Sequence, residues 1–293
     1  MRAPRTAHRT TLLTALLLAL GTAGTAGVST ATTVAAGTAG MGTAPAAPAS
    51  ISSPPSASSP SPATLSASFI PARLDRRTTL EFGFSFTAPP GQVPPPLTQI
   101  ELRYPDNLGL GLSGLGLATC TPQTLEASGP AGCPPNSVMG YGAALTGIVL
   151  GDTIIDESAP ITILRTPDQQ GHIAVLFSAE GTTPVDTRIV FPGLLLPAPA
   201  PFGGQVSASV PLVPTLPGAP YISVISLRAT IGPQKVTYYE HAGGRTLAFA
   251  PRGILLPGGC PHPGFPFAAE FSFDDGSATA AGYEVPCPIH GRR

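Results

Sequence analysis

Apolar and polar side chains alternate with a period of two through much of this chain. In 79–87 the residues Leu80, Phe82, Phe84 and Phe86 fall on one face, with Thr79, Glu81, Ser85 and Thr87 on the other. In 99–104 Ile100, Leu102 and Tyr104 oppose Gln99, Glu101 and Arg103. In 225–231 Ile225, Leu227, Ala229 and Ile231 oppose Ser226, Arg228 and Thr230. In 267–273 Phe267, Ala269, Phe271 and Phe273 oppose Ala268, Glu270 and Ser272. Alternation of this kind predicts strands with one wet face, which belong to antiparallel sheets. Further strands are predicted over 139–149, 153–164, 172–179, 187–196, 205–210, 236–241 and 278–285. Asp275-Gly276 joins 267–273 to 278–285 as a hairpin turn. No helical period of useful length appears after the N-terminus. The expectation is an all-β fold, an antiparallel β-sandwich with Pro/Gly-rich loops, of about eleven strands. Leu196-Pro-Ala-Pro-Ala-Pro201 either crosses between sheets or divides the domain near 197–203. Neither half alone holds a rich aromatic set, which favours the crossing.

The N-terminus breaks this pattern. Arg2, Arg5 and Arg9 precede an apolar run, Thr11–Leu20, that is shorter than the roughly 20 residues a membrane span needs. Small residues follow, and Val34-Ala35-Ala36 fits the small-x-small rule for cleavage, so 1–36 reads as a signal peptide. No later stretch is apolar enough to span a bilayer as a helix, and no lipobox cysteine follows the apolar run. Residues 37–65 are almost all Ala, Pro, Ser, Thr and Gly, without a charge or an apolar face. They are expected to form a disordered linker that holds a β-sandwich domain over 66–290.

Composition narrows the partners. From residue 65 on, 16 acidic residues face 12 basic ones, and the basic ones form no cluster along the sequence. That argues against nucleic acid. Charged residues make up only 11% of the chain, and 34 Gly and 37 Pro lie among the apolar runs, which indicates many turns.

Four cysteines, Cys120, Cys133, Cys260 and Cys287, follow the export signature, and an even count in an exported chain reads as disulfides. Of three pairings, the two local ones, Cys120–Cys133 and Cys260–Cys287, are preferred. The rival is zinc, because Cys260-Pro-His262 and Cys287-Pro-Ile-His290 supply two Cys and two His. A C-x-H spacing is tighter than zinc ligands usually take, and export favours oxidation. No metal or other cofactor is expected.

Other chemistry is thinly signalled. Gly109-Leu-Gly-Leu-Ser-Gly114 matches a dinucleotide-binding glycine pattern but lacks the following helix. Asp152, Asp156 and Glu157 form the densest acidic cluster. Asp152 and Asp156 on one strand would lie ~13 Å apart at ~3.3 Å per residue, whereas glycosidase carboxylates lie about 5 to 9.5 Å apart. These acids read as solvated strand ends, and Asp274-Asp275 as a turn. No G-x-S-x-G elbow occurs. His172, His241, His262 and His290 are scattered, and Tyr238-Tyr239-Glu240-His241 reads as strand packing.

Two stretches carry a resemblance. One runs from Cys120 to Cys133-Pro-Pro-Asn-Ser-Val-Met-Gly140. The other runs from Cys260-Pro-His-Pro-Gly-Phe-Pro-Phe267 through Asp275-Gly276 to Val285-Pro286-Cys287. They resemble a group of uncharacterised secreted proteins of high-GC actinobacteria, over roughly residues 97–287. The resemblance implies a secreted β-rich fold and supplies no catalytic residue. The sequence therefore points to a non-catalytic β-sandwich, secreted or associated with the cell envelope or wall, that binds an extracellular partner or an apolar ligand. The alternative is a secreted hydrolase whose site is assembled from separated residues.

Overall fold

The computed structural model describes residues 61–109, 115–183, 186–232 and 237–288. The expected signal peptide and most of the expected linker lie outside them. In chain order the strands are β1 (Ala63–Ile70), β2 (Arg76–Phe86), β3 (Leu97–Pro105), β4 (Val138–Leu150), β5 (Thr153–Gln169), β6 (His172–Gly181) and β7 (Thr187–Leu196). They continue with β8 (Phe202–Ser209), β9 (Ser223–Ile231), β10 (Tyr238–Ala242), β11 (Arg245–Phe249), β12 (Ile254–Leu256), β13 (Gly264–Phe273) and β14 (Ala278–Pro286).

Eleven of these strands form one antiparallel path, β1-β2-β9-β4-β5-β6-β7-β8-β3-β13-β14, with β12 added on β2. The two ends of the path, β1 and β14, lie against each other, so the sheet curls into a nearly closed barrel-like sandwich. β10 and β11 form a separate hairpin. The all-β expectation holds. The chain from 197 to 201 is neither a crossover nor a boundary: it turns β7 into its hydrogen-bonded neighbour β8, through the pair Leu196↔Gln205. β1 begins at Ala63, inside the expected linker, and its residues Leu65, Ala67 and Phe69 are buried on alternate positions.

The predicted faces are the observed ones at most positions. Leu80, Phe82, Phe84 and Phe86 are buried, as are Phe267, Ala269, Phe271 and Phe273. Between them lies an aromatic cluster: Phe84 and Phe271 have centroids 4.8 Å apart, Phe86 and Phe271 4.9 Å, Phe86 and Phe273 5.1 Å, and Phe69 and Phe265 5.4 Å. These offset and edge-on contacts add to the area the rings bury. On the outer face Arg103 pairs with Glu270 at 2.8 Å, as the polar phase of both strands requires.

One face assignment fails. Where β9 pairs with β4 the register shifts between Leu145 and Thr146, opposite Ser226 and Val224. Ile225 is the extra residue of a β-bulge, and Val224, not Ile225, continues the inner face. A bulge resets the period-two phase locally.

A second departure is a helix, α1 (Pro122–Ser128), where only strands and loops were expected. The Oγ1 of Thr121 accepts from the Thr124 N–H at 3.2 Å, Pro122 opens the first turn, and Gly129 at φ 68° ends the helix. Only Leu125 is buried in it, so seven residues display no repeat. Leu125 packs with Leu164 and Leu176 on the outside of β5 and β6. The disulfide Cys120–Cys133, with Cα atoms 5.3 Å apart, brackets this helix. Cys260–Cys287, at 5.8 Å, ties the chain entering β13 to the chain leaving β14.

Candidate functional site: an apolar chamber inside the barrel

The aromatic cluster fills one side of the barrel, and the other side is hollow. The lower half of the hollow is a cavity of about 150 Å³ bounded by the inner faces of eight consecutive strands of the path and of β13. Its wall includes Phe82, Leu102, Ile163, Phe177, Leu195 and Ala229. Among the described residues every side chain in that wall is apolar except Tyr104, whose hydroxyl is pushed up in pKa by burial. Gly204 makes room for that ring: a Cβ there would lie 2.2 Å from the Tyr104 hydroxyl.

The upper half is a second cavity of about 120 Å³. The two share Phe84, Ile100, Ile161, Phe191 and Leu227, which form a common waist. The strand directions put the β2–β3, β4–β5, β6–β7, β8–β9 and β13–β14 connections at the mouth of the upper half. The β8–β9 connection folds over this mouth. Its Val213, Pro214, Thr215 and Ile222 line the cavity. It is held in a small hairpin by Thr215 N–H to Pro220 O at 3.1 Å and Ile222 N–H to Val213 O at 2.9 Å. Leu212, Leu216 and Tyr221 of the same connection are exposed.

Among the described residues, one charged side chain lines either cavity, and it is Glu157 at the upper mouth. Its Oε1 accepts from the backbone N–H of Thr182, from the Thr182 hydroxyl at 2.9 Å and from the backbone N–H of Thr183 at 2.9 Å. Burial pushes the Glu157 carboxyl up. The hydrogen bonds from Thr182 and Thr183 outweigh that and hold it below the usual carboxylate range. Thr146 and Thr187 add hydroxyls to the same rim.

The acidic cluster read from the sequence is thus divided. Asp152 stands in the β4–β5 turn and Asp156 on the outer face, both exposed, while Glu157 turns inward. The signal for Glu157 was present: it shares odd-numbered phase with Ala159, Ile161 and Ile163, all buried on the inner face. Asp275 caps its own turn, with Oδ1 accepting from the Ser277 N–H at 2.9 Å and the Ser277 hydroxyl at 2.6 Å, and these bonds lower its pKa. His241 is exposed on β10 and its Nδ1 lies 2.9 Å from the Thr246 hydroxyl. His172 begins β6 and His262 is exposed beside Cys260. His290 and Gly114 lie outside the described residues. Because all four cysteines are in disulfides, no thiolate remains for the zinc arrangement. Among the described residues no three His, Cys, Asp or Glu side chains gather into a metal-binding group.

Asp152, Asp156 and His241 are all exposed. Asp152→Asn, Asp156→Asn and His241→Ala are each expected to change stability by no more than about 0.5 kcal/mol. Urea unfolding of the three variants checks this, and a loss of several kcal/mol in any of them would contradict the placement.

The chain matches no family model, no curated protein and no solved structure.

Proposed function

We propose that this chain is an exported, non-catalytic binding protein of the cell envelope or its surroundings, whose barrel holds an apolar small molecule. The observation that carries the reading is the chamber wall: a hollow core lined by Leu, Ile, Val, Phe and Met from so many strands. A well-packed interior leaves few voids larger than a water molecule. Enclosed apolar cavities of about this size stay dry and take up apolar guests, and the lower cavity, at about 150 Å³, has that size and that kind of lining. Ligand sites are typically mostly apolar with a few placed polar groups, and mouths of β-barrels are among their preferred positions. The two disulfides and the N-terminal apolar run support an oxidising, extracellular setting. No helix among the described residues is long and apolar enough to cross a membrane.

The test is titration of the protein, recovered from the medium of a secreting host with its terminus after about Ala36, with the neutral fluorophore N-phenyl-1-naphthylamine. The expected result is saturable binding with one site per chain. Ala208→Phe, which projects a ring into the lower cavity, should weaken it at least ~10-fold, about 1.4 kcal/mol. Absence of binding, or binding unaffected by Ala208→Phe in a folded variant, would refute the reading. Turnover of an ester, glycoside or peptide would replace it with the hydrolase.

A further inference from the structure

The chamber is chemically lopsided. Its lower half is apolar almost throughout, and its upper mouth carries a ring of threonines around one carboxylate. A guest that only needed an apolar cavity would gain nothing from a charged rim, and burying part of a carboxylate beside an apolar guest carries a desolvation penalty. That penalty is offset when the guest brings a positive group of its own. The surroundings have the same sign. The five connections at this end carry Asp152, Asp186, Asp274 and Asp275 and neither Lys nor Arg. The nearest guanidinium along β7, that of Arg188, is bound to Glu180 at 2.9 Å and to the Glu126 carbonyl at 3.3 Å. A mouth lined with one sign of charge concentrates counter-ions of the other.

Resting on the apolar-ligand reading above, we infer that the ligand is a cationic amphiphile, a primary or substituted alkyl amine. Its tail lies along the barrel through the waist at Phe84, Ile161 and Phe191, and its ammonium group sits against Glu157. Two stacked cavities with a shared waist suit a chain-like tail better than a compact ring. The Thr182 and Thr183 donors fix the Glu157 carboxylate in place before the ligand arrives, so little is spent on ordering it. An anionic amphiphile would place its head beside Glu157 and the rim aspartates and is disfavoured.

Three probes with one tail and different heads decide this: dodecylamine, dodecanol and dodecanoate, each competing with N-phenyl-1-naphthylamine below its limit of monomeric solubility. The expected order is amine, then alcohol, then carboxylate, with the amine at least ~10-fold tighter than the alcohol. In Glu157→Gln the amine should lose its advantage and bind no tighter than the alcohol does to the same variant. An amine no tighter than the alcohol in the wild-type protein overturns the inference and leaves the apolar chamber standing. An amine preference that survives in Glu157→Gln also overturns it. If none of the three tails displaces the fluorophore, or the fluorophore itself does not bind, the chamber reading fails with it. Should Glu157→Gln not fold, the wild-type order alone decides between the two outcomes.

Discussion

Replacing Phe271 with alanine is expected to destabilise the protein by about 3–5 kcal/mol, the range for deleting a buried aromatic ring. Phe271 is 1% exposed and its ring meets both Phe84 and Phe86 at under 5 Å between centroids. It belongs to the filled side of the barrel, where β2 and β13 face each other, so removal opens a void that neighbouring strands cannot collapse to fill. Phe191→Ala provides the internal comparison. That ring is only partly buried, stacks on Phe177 at 5.1 Å, and already borders empty space at the chamber waist. A side chain with a void on one side has fewer packing contacts to lose, so Phe191→Ala should cost clearly less. Urea unfolding of the two variants checks both. Equal losses would mean that the chamber side is as tightly packed as the aromatic side, which would remove the basis for a ligand.

Removing the second disulfide with the double variant Cys260→Ser/Cys287→Ser is expected to cost about 3 kcal/mol. The cross-link closes a segment with a sequence separation of 27, and the chain-entropy relation puts a loop of that length near ~3.5 kcal/mol. The penalty acts mainly on the unfolded chain. In the folded state β14 is held independently by nine register pairs with β13, from Gly264↔Pro286 to Ser272↔Ala278. The variant should therefore keep its native circular dichroism spectrum and its fluorophore binding at room temperature while its unfolding midpoint falls. A loss under about 1 kcal/mol would contradict the account. So would loss of native structure at room temperature, which would show that the bridge, and not the ladder, holds the last hairpin.

The β-fold was legible because the physics behind it is local. Alternation in 79–87 and 267–273 put eight residues on the buried face, and all eight are buried. Asp275-Gly276 marked the last hairpin, and an even cysteine count with two short intervals marked both bridges. What was lost in the sequence depended on neighbours. Ile225 keeps perfect alternation with Leu227, yet the bulge opposite β4 turns the phase at that point, and a bulge is a property of two strands together. Helix α1 buries one leucine against the outside of β5 and β6, a surface that exists only once the barrel has formed.

The candidate site divides in the same way. The amino-acid order alone put Glu157 on one strand face with Ala159 and Ile161, because side chains along a strand alternate. It did not determine that this face surrounds a cavity. That depended on how far the sheet curled and on which inner positions, brought together from distant strands, carried phenylalanine. On the β2–β13 side rings meet across the core. On the β4–β9 side Ala144 and Ala229 leave the middle unfilled. Whether a set of inward side chains makes a solid core or a chamber is a matter of summed volume against enclosed space, and the enclosed space is set by strand number and closure, which no single segment of the chain encodes.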